Sequence, residues 1–75
     1  MKIPPAKDPL WDDPAERTAY LLSLMAVHGL KAQDVAELTN ARLATVRHWC
    51  SGKHWPIQRD TLRALAYDLR EGAGA

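Results

Sequence analysis

The sequence predicts an all-α protein, a compact bundle of four to five helices. Three observations carry this. Apolar residues recur at helical spacing, most plainly Leu62, Leu65, Ala66 and Leu69 at i, i+3, i+4 and i+7. Three of the runs end on residues that tolerate a left-handed backbone, Gly29, Asn40 and Gly52. No segment alternates apolar and polar residues as a half-buried strand does.

The chain has 75 residues, enough for one domain. A domain of this size buries only about 60% of its unfolded surface, so its core is thin. Apolar residues make up 47% and charged residues 25%, which fits a globular chain and not a disordered one. A single cysteine, Cys50, excludes an internal disulfide framework, so the core must be completed in some other way or shared with a partner.

Residues 1–13 contain Pro4, Pro5 and Pro9 and read as an extended arm, with Trp11 packing it onto the first helix. This segment has no apolar core and no cleavage pattern, so it is not expected to be a signal peptide. The longest apolar stretch, Tyr20 to Val27, is broken by Ser23 and is far shorter than the roughly 20 residues of a membrane span. A reducing cytoplasm is the expected compartment.

The domain proper is expected over residues 14–70. Asp13 can cap the first helix, Pro14 suits its first position, and Glu16 has capping-box spacing. The helix should run to about His28. Its apolar set, Leu21, Leu22, Leu24, Met25 and Val27, is too broad for one stripe, which predicts packing against more than one neighbour. A second helix is expected over residues 32–39, with Val35 and Ala36 inward. The third, over about 42–51, would bury Val46, Trp49 and Cys50. A loop with Trp55 and Pro56 leads to a fourth helix over about 58–70, and residues 71–75 read as a flexible tail.

The net charge of +1 hides an asymmetry. Residues 8–16 carry Asp8, Asp12, Asp13 and Glu16 and no base. Between Glu37 and Asp60 there is no acid, but there are Arg42, Arg47, Lys53 and Arg59, with His48 and His54. A cationic stretch that coincides with particular helices is the electrostatic footprint of phosphate binding. With Val46, Trp49 and Cys50 pointing inward, a helical wheel places Ala44, Arg47, His48 and Ser51 outward. That face has no carboxylate to repel a phosphate, and a helix fits a major groove about 12 Å wide.

The stretch from Ala32 to Pro56 resembles the helix-turn-helix of the lambda-repressor/Cro-like family. Ala36, Asn40, Val46, Trp49, Gly52 and Pro56 fall without a gap on that family's positions. These are a first-helix alanine, the turn residue, two apolar residues of the recognition helix, its closing glycine, and a proline before the next helix. The flanking helices extend the likeness over most of residues 14–70. The chain departs from the pattern with Ala32 where glutamine is common, Asn40 at the turn glycine, Arg42 before the recognition helix and Cys50 near its end. The phrase Val46-Arg-His-Trp-Cys-Ser-Gly52 looks like small phage or mobile-element regulators, including anti-CRISPR-associated repressors.

The resemblance implies a sequence-specific double-stranded-DNA-binding regulator, most often a repressor, acting as a homodimer on a palindromic operator. By position, Leu43, Ala44, Arg47 and His48 would face base edges, and Gln33, Ser51, Lys53 and His54 would approach phosphates. Arg42 joins the DNA-binding set through its place in the cationic stretch. The competing function is a small helical protein-interaction module, such as an antitoxin or adaptor. Trp55 and Tyr67 are candidates for a dimer interface, and Trp55 also for a lid on the core or a DNA-backbone contact.

No cofactor, metal or catalytic role is expected. His48 and Cys50, at i and i+2, point about 200° apart on a helix and cannot easily share a metal or act as base and nucleophile. The chain has no carboxylate pair, phosphate-cradling glycine loop or cofactor fingerprint.

Overall fold

Asp13 is the residue from which the first long helix grows. Its carboxylate accepts the backbone N–H groups of Ala15 at 2.9 Å and Glu16 at 3.4 Å, and Pro14 follows at the first helical position. The Asp13 N–H donates to the Leu10 carbonyl at 3.3 Å, so the reciprocal half of the expected capping box goes to the preceding turn instead of to Glu16. In the computed structural model, which describes residues 2–52 and 55–74 and their side chains as far as Arg70, four α-helices follow one another. They are α1 (Pro14–His28), α2 (Ala32–Thr39), α3 (Leu43–Ser51) and α4 (Arg59–Gly74). Among the described residues there is no strand.

The three expected stop residues all adopt the left-handed backbone. Gly29 has φ 63°, Asn40 φ 56° and Gly52 φ 68°. Asn40 is the one that carries a Cβ, and asparagine bears that conformation better than other side chains. It closes α2, its N–H reaching back to Glu37, and the Ala41 N–H then takes the Ala36 carbonyl at 3.0 Å. Arg42 caps α3 with extended backbone, so that helix begins one residue later than the sequence suggests. The fourth helix begins at Arg59 and continues to Gly74, into the segment read as a tail.

The N-terminal arm is not extended throughout. Pro9–Asp12 forms a 3-10 helix capped by Asp8, whose carboxylate accepts the Leu10 N–H at 2.9 Å. This turn drives Trp11 into the interior, where it is 1% exposed. The indole N–H donates to the Pro5 carbonyl at 2.7 Å and the ring meets Tyr20 edge-on, with centroids 5.8 Å apart. Arg63 of α4 lies over the same ring, 5.7 Å from its centre. The arm is therefore part of the core, and Ile3 packs against it as well.

The core is built by Trp11, Tyr20, Leu21, Leu24, Val35, Ala36, Val46, Trp49, Ile57, Leu62, Leu65 and Ala66. It joins α1 to α3 and α4, and α2 to α3 and α4. The radius of gyration is 11.4 Å, close to the roughly 11 Å expected for a close-packed chain of this length. The Tyr20 hydroxyl is buried with no hydrogen-bond partner among the described residues, and burial, then the neighbouring Tyr67, push its pKa up.

One expectation for α1 needs correction. Leu22 and Val27 are not buried; they are 44% and 60% exposed. The outer face of α1 from Ala19 through Leu22, Ser23 and Ala26 to Val27 is exposed and carries no charge. The expected packing of α1 against more than one neighbour is found: it meets α3, α4 and the Pro9–Asp12 turn.

Candidate nucleic-acid interface

Val46, fully buried, and Trp49, 8% exposed, hold the inner side of α3 against the core. Cys50 adds to this side, its thiol donating to the Met25 sulfur at 3.7 Å, and burial pushes its pKa up. A partly buried thiol kept protonated is packing material and a poor nucleophile. At the C-terminal end of α3, a side chain on Gly52 would meet the Thr18 methyl at 3.4 Å, so this end sits close against α1.

With that side fixed, the 100° helical step sends Ala44, Arg47 and Ser51 into solvent, and all three are exposed. Arg42, at the cap, is exposed too, and its side chain makes no capping bond. Among the described residues no ion pair engages Arg42 or Arg47. The Ser51 hydroxyl donates to the His48 carbonyl at 2.9 Å. Gln33 is exposed on α2, and its amide is turned along that helix toward Glu37, 3.4 Å away. Lys53 and His54 lie outside the described residues.

The structure departs from the expected face at four residues. Leu43 and His48 are half-buried rather than open. Leu43 starts α3 on the edge nearer the core, as its wheel position implies. The His48 ring meets the Trp55 ring edge-on at 4.7 Å and 84°. Trp55 is therefore no lid on the core: it is 63% exposed and leans on α3. Arg59, counted in the cationic stretch, is drawn into ion pairs with Asp12 at 3.4 Å and Asp60 at 4.0 Å. Tyr67 is 44% exposed on α4.

The acids near the N-terminus have structural work that explains their clustering. Asp8 and Asp13 cap helices and Asp12 holds Arg59. A hollow between α2 and α4 is edged by Leu38, Asp60, Ala64 and Asp68. Two carboxylates make it repellent to phosphate, which separates it chemically from the face of α3.

One residue that sequence reasoning passed over positions the interface. Arg17 of α1 donates from Nε to the Ile57 carbonyl at 2.9 Å and from a terminal nitrogen to the Trp11 carbonyl at 2.6 Å. It ties the loop after α3 to the N-terminal turn. No local pattern marks such a residue, because its partners are 6 and 40 positions away.

Among the described residues no group of three or more histidine, cysteine or acidic side chains could hold a metal ion. No described helix is long and apolar enough to cross a membrane. Compared with protein-family models, curated proteins and solved structures, the chain matches none of them.

Proposed function

We propose that this protein is a sequence-specific double-stranded-DNA-binding regulator, a repressor working in the cytoplasm, that reads the major groove with α3. The observation that carries this reading is the division of α3. Val46 and Trp49 anchor one side, while Arg42, Ala44 and Arg47 stand exposed on a helix without a carboxylate. An arginine so placed suits the bidentate contact to guanine, and a methyl such as that of Ala44 suits the thymine methyl. The resemblance of residues 32–56 to the Cro-like helix-turn-helix supports the same reading. A repressor then acts by occupying a promoter.

Selection of bound duplexes from a random pool tests it directly. A shared sequence motif among the recovered duplexes is expected, and recovery of none would remove the proposal. Arg47→Ala should bind the recovered site about 5–150-fold more weakly, as for loss of one base contact worth about 1–3 kcal/mol. Its melting should stay within about 0.5 kcal/mol of the parent, because the side chain is exposed. Unchanged binding by this variant would show Arg47 to be only a solvated cation.

One helix reads too few base pairs to find a site among many competitors. The protein is therefore expected to bind as a homodimer on a roughly palindromic operator, with its two α3 helices about 34 Å apart, one turn of DNA. Tyr67 on α4 is the candidate for the shared surface. Light scattering at micromolar concentration, with and without operator, should give a dimer mass on one duplex. A monomer mass in both conditions, with one chain per duplex, would reject the dimer.

A further inference from the structure

Trp55 is the most open of the large apolar side chains among the described residues, at 63% exposure. The other two tryptophans are buried, Trp11 at 1% and Trp49 at 8%. Yet Trp55 is held on a stiff base. Pro56 restricts it to extended backbone. Ile57, two residues on, is fully buried, and its carbonyl is gripped by Arg17 at 2.9 Å. The indole is braced edge-on against the His48 ring at 4.7 Å. His48 follows Arg47 directly and lies one helical turn from both Ala44 and Ser51. Trp55 thus adds a fixed apolar plane to the outward side of α3.

We propose that Trp55 is a DNA-contact residue, its indole packing against a thymine methyl in the major groove while bracing the His48 ring. This rests on the reading of α3 as the DNA-binding helix. The sequence leaves Trp55 a core lid, a dimer surface or a DNA-backbone contact; its exposure and its contact with His48 favour the DNA side. A large aromatic already ordered before binding contributes contact area while losing little conformational freedom. Thymine offers the one methyl group on the floor of the major groove, and an uncharged ring suits it.

The test uses the full chain, a duplex recovered by selection, and a scrambled duplex of equal length. Acrylamide, a neutral quencher, should reach Trp55 in the free protein and spare Trp11 and Trp49. The selected duplex should shield Trp55. Trp55→Ala should bind about ten-fold more weakly, the scale of one ordinary contact, and Trp55→Phe should keep most of the affinity. Replacing single thymines by deoxyuridine removes only the methyl. At one position per half-site this should weaken the parent several-fold and leave Trp55→Ala unaffected. Binding of no duplex would sink the DNA reading, and this inference with it. Tight binding with Trp55 still open to acrylamide would overturn the inference alone. So would shielding that already occurs without DNA at dimer-forming concentrations, since that places Trp55 between subunits. If Trp55→Ala melts early, the phenylalanine variant and the quenching result decide. Sensitivity to deoxyuridine that is equal in parent and Trp55→Ala would overturn the methyl contact.

Discussion

Trp11→Ala is expected to lower the unfolding free energy by about 3–5 kcal/mol, the usual range for emptying a buried tryptophan site. The side chain is 1% exposed, touches Tyr20 and Arg63, and fastens its own segment through the Pro5 carbonyl. All of these contacts are lost together, and the thin core cannot collapse into the space without moving α1 or α4. Small domains have only about 5–15 kcal/mol in total, so the variant should melt far earlier or be partly unfolded at room temperature. Urea unfolding followed by circular dichroism measures this. A midpoint equal to the parent's would show that the N-terminal segment is a detachable arm, as its prolines first suggest. The same experiment on Trp49→Ala should give a loss of similar size, since Trp49 is the anchor that sets the rotation of α3.

The second large effect is on DNA affinity as salt rises. If Arg42 and Lys53 each neutralise one phosphate while Arg47 reads a base, counterion release gives a slope of about −1.8 in log affinity against log salt for one chain. Raising monovalent salt from about 50 to 200 mM should then weaken binding about 12-fold for a monomer and about 150-fold for a dimer. Arg59 is left out of this count because Asp12 and Asp60 already face it. Fluorescence anisotropy over that salt range gives the slope. Affinity independent of salt would remove the electrostatic part of the proposal. A change of slope by about one in Arg47→Ala would assign that arginine to a phosphate, and an unchanged slope with lost discrimination would assign it to a base.

Local structure is legible in the order of the residues alone. Asp13-Pro14, Gly29, Asn40 and Gly52 mark helix ends because capping and positive φ are properties of single residues and their close neighbours. The inward set Val35, Ala36, Val46, Trp49, Leu62, Leu65 and Ala66 was legible because helical periodicity assigns a face without knowing what lies opposite. The outward set Ala44, Arg47 and Ser51 follows from the same arithmetic.

Tertiary structure alone decided which long-range partners those faces meet. Ile57 is fully buried although it sits in a loop, and Trp11 although it sits among prolines, because residues far along the chain cover them. Leu22 and Val27 stay exposed because no described element reaches the outer side of α1. Arg17 and Arg59 look like ordinary surface cations until the fold brings carbonyls and Asp12 to them from across the chain. Trp55 turns from a presumed core lid into part of the α3 face for the same reason. Its neighbour His48 is set by how the loop closes over Arg17, and nothing in the spacing of residues 48 and 55 encodes that closure.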